Sequence, residues 1–113
     1  MEYYNFPSIK RGDTFDGILF TVKVNGLVLD LTSADINMDL RITPLGEIIK
    51  HFGLGTGFTL ATNPATGVFS FDEWTATVDA ANYYYDIEIT LGNGEIHTYI
   101  GGRWNIAQDI TYT

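Results

Sequence analysis

Two histidines are the side chains best placed to move protons near neutral pH. His51 stands between Lys50 and Phe52, and His97 between Ile96 and Thr98. Neither has a Ser or Asp at a spacing that suggests a relay, and a triad is defined by geometry rather than by spacing. Both read as exposed or cross-strand residues. The chain has no Cys, which removes thiol catalysis, zinc fingers and iron–sulfur clusters, and two His alone make a poor zinc site. Asp13 and Asp16 could share a Ca²⁺ with Asp72 and Glu73 if their loops met, but no D-x-D-x-D-G spacing is present. A paired-carboxylate glycosidase needs a cleft that short strands leave little room for. Gly53, Gly55 and Gly57 are followed by no G-K-[ST] and open no helix, so they do not form a phosphate cradle. Arg11-Gly12-Asp13 spells an integrin-type tripeptide, yet Gly12 is better explained as a turn glycine. The expectation is a protein without catalytic, cofactor-binding or metal-ligating residues, not an enzyme.

Aromatic rings offer a second kind of chemistry, stacking on sugars. Trp74 and Trp104 are the indoles available for it. Trp104 lies in the terminal strand and reads as core, which leaves Trp74 as the better platform for a carbohydrate- or cell-surface-binding module. The charge narrows the partners further. With 14 Asp and Glu against 6 Lys and Arg, the net charge is −8. Phosphate backbones and anionic lipid surfaces are repelled, and only Lys10 and Arg11 are adjacent cations, so neither nucleic acid nor membrane is expected as a partner. No apolar run approaches the roughly 20 residues that span a bilayer. The start, Met1-Glu2-Tyr3-Tyr4-Asn5, lacks the basic and apolar regions of a signal peptide, so synthesis in a cytoplasm is expected.

The elements that would carry these residues have a period of two. Ile36, Met38, Leu40 and Ile42 alternate with polar neighbours, as do Tyr85, Ile87, Ile89 and Leu91. Leu19 to Val24 runs into Asn25-Gly26, which supplies the two positive φ values of a type I′ turn, and Leu27 to Leu31 returns. Asn93-Gly94 predicts a second hairpin, closed by Glu95 to Ile100. Further strands are expected over 48–52, 58–61, 68–71 and 104–111, and Asp72 to Ala81 could hold one helical turn capped by Asp72. A length of 113 residues makes one domain, 1–113, the natural count. The fold class predicted is all-β: an immunoglobulin-like antiparallel β-sandwich of about seven to nine short strands with little or no helix.

Two stretches sharpen that picture. Asp79-Ala80-Ala81-Asn82-Tyr83-Tyr84-Tyr85 fits D-x-A-x-Y-x-φ, the spacing of a tyrosine corner. Tyr83 would be the corner, with Asp79 and Ala81 upstream, and Tyr85 would fill a core slot. At the other end, Tyr3, Tyr4, Phe6, Pro7 and Ile9 put apolar surface before the first clear strand. Residues 1–8 are therefore expected to act as a docking arm for a neighbour or as an edge strand, with Tyr3, Tyr4, Phe6 and Pro7 as interface residues.

Three segments together resemble a known family. They are Ile9-Lys10-Arg11-Gly12-Asp13-Thr14-Phe15 with Val24-Asn25-Gly26-Leu27-Val28-Leu29-Asp30-Leu31-Thr32; then Asn82-Tyr83-Tyr84-Tyr85-Asp86-Ile87; and Gly101-Gly102-Arg103-Trp104-Asn105-Ile106-Ala107-Gln108-Asp109-Ile110-Thr111. In that order the chain is similar to small virion domains of tailed phages, in particular the N-terminal domain of baseplate upper proteins. The resemblance implies a β-sandwich building block with no catalytic residues, located in the virion after synthesis in a bacterial host cytoplasm. Its partners would be other phage structural proteins and further copies of itself in a symmetric assembly. In the baseplate proteins a helical segment follows this domain. The sequence here ends at Thr113, so capsid decoration, a head-fibre anchor and a tail or baseplate adaptor all stay open.

Overall fold

The computed structural model describes residues 2–108. Among them the chain is all-β, with strands β1 (Glu2–Tyr3), β2 (Ile9–Lys10), β3 (Thr14–Phe15), β4 (Ile18–Thr21), β5 (Lys23–Val24), β6 (Leu27–Val28), β7 (Asp35–Arg41), β8 (Ile48–Leu54), β9 (Gly57–Leu60), β10 (Val68–Phe71), β11 (Trp74–Thr75), β12 (Ala81–Thr90) and β13 (Ile96–Ala107). The described residues include one short helical element, a 3₁₀ turn at Pro64–Thr66. Asn63 caps it through its side-chain oxygen, and Pro64 sits at its start. No described helix is long and apolar enough to cross a membrane.

The main sheet runs β1-β13-β12-β7-β8-β9-β10-β4, with β2 also on β13. Its long central strands are antiparallel, as alternation predicted. The sheet as a whole is mixed, which corrects the purely antiparallel expectation. β8 and β9 pair in parallel, and β1 and β2 both lie parallel to β13. The first of these pairings comes from a corner too tight for an ordinary hairpin. Gly57 holds φ at +134°, and a Cβ there would stand 2.6 Å from the Phe52 ring, so only glycine lets the chain fold back onto its own strand.

The sheet curls until its far end covers its near end. Phe71 of β10 comes within 5.9 Å of Trp104 of β13, ring centre to ring centre. Inside lie Ile36, Met38 and Leu40 of β7, Tyr83, Tyr85, Ile87 and Ile89 of β12, and Phe20, Phe58 and Phe69 from the opposite wall. All belong to one continuous core. With so many rings, packing is largely edge-on and tilted, the arrangement aromatic quadrupoles favour.

The turns follow local chemistry, with one revision. Asn25 and Gly26 both take positive φ (52° and 80°), joining β5 to β6 as a type I′ turn demands. At the second hairpin only Gly94 does. Its N–H bonds the Leu91 carbonyl, while the Leu91 N–H bonds Glu95. The loop is therefore three residues long and ends in a glycine bulge. The segment expected to make a helical turn, 72–81, is extended instead. The Asp72 carboxylate is taken by the hydroxyls of Thr59 and Ser70, both at 2.6 Å, and Ala76 and Val78 are drawn into the core.

Candidate functional site

The segment expected around 95–100 and the start of the one expected over 104–111 form one strand, β13, which runs unbroken through Gly101 and Gly102 to Ala107. The glycines do not break it; they make room. A Cβ on Gly102 would collide with the Tyr4 carbonyl oxygen. Glycine thus admits the N-terminal segment against the strand, and a row of bonds fastens it. Tyr4 N–H donates to the Gly101 carbonyl (3.0 Å), Arg103 N–H to Asn5 Oδ1 (2.9 Å), Trp104 Nε1 to the Pro7 carbonyl (3.1 Å) and Arg11 N–H to the Ala107 carbonyl (2.7 Å). The Tyr85 hydroxyl donates to the Tyr4 carbonyl from inside.

Of the two roles expected for the aromatic start, docking arm or edge strand, the described residues show packing on its own domain, and Phe6, expected at an interface, is a core residue instead. Phe6 is 4% exposed, and its ring centre lies 4.5 Å from Trp104 and 4.8 Å from Tyr85. Tyr4 is half-buried against the same core. Glu2–Tyr3 pairs as an edge strand of its own sheet. Of the four residues expected at an interface, Tyr3 and Pro7 remain exposed, while Phe6 and Tyr4 face inward. At the expected corner, the Tyr83 hydroxyl donates to the Asp79 carbonyl at 2.5 Å. Burial pushes the Tyr83 phenol up from its ordinary pKa, helped by the Asp79 charge, and burial does the same to Tyr85. Ala81 opens β12, opposite Ile106.

The other candidates are placed as follows. Trp104 is fully buried. Trp74 is half-buried, its ring 5.0 Å from Phe52 and 5.6 Å from Trp104, so the indole expected to stack on sugars faces the core instead. His51 and His97 are exposed, and each meets a carboxylate: Nδ1 of His51 lies 2.6 Å from Asp39, and Nε2 of His97 3.3 Å from Glu95. Asp16, Asp72 and Glu73 border one shallow depression. Among the described residues, no group of three or more acids or histidines is disposed to hold a metal ion. Gly12 takes φ +93° in the turn between Lys10 and Asp13, as a turn glycine should.

What spacing alone did not reveal is a groove of about 530 Å³ on the outer face of β13, β12 and β7. Register builds it. One row across the strands reads Tyr3, Gly101, Asp86, Asp39, His51; the next reads Arg103, Tyr84, Arg41. Gly101 carries no side chain, so a gap opens between Tyr3 and Asp86. Tyr84 lies beneath the Arg103 guanidinium, which is centred 4.6 Å from its ring. Arg41 is held by the Gly46 carbonyl (2.5 Å) and Asp39 (3.6 Å), which braces the Pro44 side of the groove. The signal available in the sequence was Tyr84, Asp86 and Arg103 on the wet parity of their strands; Tyr3, Asp39 and Gly101 join them only through pairing.

A second surface feature is the distribution of exposed aliphatics. Ile42, Leu45 and Ile48 crown the β7–β8 connection, with Leu45 98% exposed. Val24, Leu27 and Val28 on the β5–β6 hairpin and Ile96 of β13 are exposed at the opposite end of the strands. From the Tyr84 row to the Thr90–Ile96 pair, this is a separation of about 20 Å along β12. The chain matches no family model, no curated protein and no solved structure.

Proposed function

We propose that this protein is a non-enzymatic structural component of a tailed-phage virion. In this reading it is an immunoglobulin-like β-sandwich that docks on other virion proteins, as a capsid decoration, a head-fibre anchor or an adaptor of the tail or baseplate. The observation that carries the assembly role is the pair of apolar ends. A sealed interior leaves Ile42, Leu45 and Ile48 uncovered at one end and Val24, Leu27 and Val28 at the other. Uncovered aliphatics gathered at chain tips mark contact surfaces, and two such ends on one small domain suit repeated contacts in a symmetric assembly. The immunoglobulin-like reading draws its support from the Tyr83–Asp79 bond, the hydrogen bond a tyrosine corner makes.

The test is the copy number of the chain in purified particles, by quantitative mass spectrometry against the major capsid protein. Hundreds of copies place it on the capsid lattice, and about a dozen at the portal, tail or baseplate. Absence from particles refutes the proposal. Leu45→Asp should lower incorporation while leaving the fold intact, because the side chain touches little of its own domain.

The alternative, a carbohydrate- or cell-surface-binding module, loses its indole platforms, since Trp74 and Trp104 face inward. It keeps one specific observation in its favour, the outer-face groove.

A further inference from the structure

We infer that the groove over β13, β12 and β7 is a binding site for a neutral saccharide. The inference goes beyond the assembly role and stands or falls separately from it. The groove volume of about 530 Å³ is of the size that encloses a small organic ligand.

The lining decides the class of ligand. Tyr84 and Tyr3 present rings on either side of the gap over Gly101, the kind of apolar surface that receives the C–H face of a pyranose. Asp86 follows Tyr84 by two residues on the same face, so the two stand about 7 Å apart, the span of one sugar unit. The Asp86 carboxylate makes no ion pair or hydrogen bond among the described residues, and Arg103 makes no ion pair there; its guanidinium only stacks. An acceptor-only carboxylate and a donor-only guanidinium therefore flank one ring. A diol satisfies both, donating to the first and accepting from the second. A ligand charged with one sign only would satisfy one and be repelled by the other.

A further sign is the cost built into the sheet. Asp86 stands directly opposite Asp39 across β12 and β7, and like charges in that position destabilise a sheet. Asp39 is hydrogen-bonded to His51 and ion-paired with Arg41, while Asp86 is left facing the groove.

Other ligand classes fit less well. A bound peptide strand needs an open sheet edge to satisfy its backbone, and the groove floor is a sheet face whose strands already pair with one another. Nucleic acid is opposed by the net charge of −8.

The test is a titration of the ¹⁵N-labelled full chain, followed by NMR, with maltohexaose, cellohexaose, chitotetraose, a linear galactan fragment and a rhamnose-containing oligosaccharide, each to millimolar concentration. At least one should give saturable shifts centred on residues 3, 39, 84–86 and 101–103. Tyr84→Ala and, separately, Asp86→Ala should weaken that binding by about tenfold or more. Tyr84→Phe should retain it, because the ring and not the hydroxyl makes the contact. Leu45→Ser, on the β7–β8 tip, should bind as the parent does and serves as the folded control. Failure of the whole panel to shift these residues overturns the inference. So does binding that survives Tyr84→Ala, or saturable shifts at this groove from an unstructured peptide pool alone.

Discussion

Tyr83 and Tyr84 are neighbours of identical chemistry, and the fold gives them opposite tasks. Tyr83 points inward, loses all contact with water and commits its hydroxyl to the Asp79 carbonyl. Tyr84 points outward, lies under Arg103 and forms one wall of the groove. Two residues along the inner face, Tyr85 repeats the first task by bonding the Tyr4 carbonyl. The same alternation divides β13, where Trp104 is sealed in the core and Arg103 is exposed outside. The inner face is held by area and by satisfied polar tips. The outer face is held by little and is therefore available for recognition. Stability and binding are thus carried by alternate residues of the same strands, and substitutions should separate them.

The largest effects belong to the inner face. Trp104→Ala and Phe6→Ala should each lower stability by about 3–5 kcal/mol in urea unfolding, since each leaves a cavity among rings that cannot collapse onto it. A small loss for Phe6→Ala would mean that the N-terminal segment is not part of the core. Next come the hydroxyls. Tyr85→Phe leaves the Tyr4 carbonyl without its donor and should cost about 1–3 kcal/mol, while Tyr83→Phe should cost about 1 kcal/mol. If neither changes the urea midpoint, the polar tips contribute nothing and the core rests on ring packing alone.

Alkaline pH probes the same two phenols. Burial raises both of their pKa values in the fold, and for Tyr83 the Asp79 carboxylate adds to the effect. Their contribution to stability is therefore complete below the unfolded-chain value of about 10 and is lost as pH rises through the folded values. Urea midpoints measured from neutral to strongly alkaline pH should fall, and the fall should be shallower in Tyr85→Phe. An equal slope in that variant would show that Tyr85 is not the group responsible.

Trp74 sharpens the comparison from the other side. Its Nε1 is shut from solvent with no partner among the described residues, a donor left unpaired. Trp74→Phe removes that donor as well as some ring area, so thermal unfolding should find it within about 1 kcal/mol of the parent. The smallest effect should come from the outer face. Tyr84→Ala should change stability by about 0.5 kcal/mol or less. A loss as large as that of Phe6→Ala would abolish the division between the two faces.

The sequence carried whatever depends on neighbours a few positions apart. Alternation at Ile36, Met38 and Leu40 and at Tyr85, Ile87 and Ile89 marked the central strands and which side of each is wet, because a strand's side chains change face at every residue; it overran the ends, since Ile42 and Leu91 lie beyond β7 and β12 and Ile42 is exposed. Asn25-Gly26 marked its hairpin because positive φ is a local demand, and the D-x-A-x-Y spacing brought the Tyr83 hydroxyl to the Asp79 carbonyl across four residues. The D-φ-T piece of the third resemblance segment, Asp109 to Thr111, lies outside the described residues.

Tertiary structure alone decided the rest. Nothing near Phe6 says that it must bury beside Trp104, nearly a hundred residues away; that follows from Gly102 admitting the Tyr4 backbone and from Trp104 seeking an acceptor at Pro7. Trp74 read as the better platform because Trp104 read as core, yet the curl of the sheet lays Phe52 and Trp104 against it. The groove joins Tyr3, Asp39, Tyr84, Asp86 and Arg103 from four strands, so it has no signature at any single spacing. A period of two fixes which face a side chain takes. Which other side chains share that face is fixed only by strand pairing and closure, which are non-local.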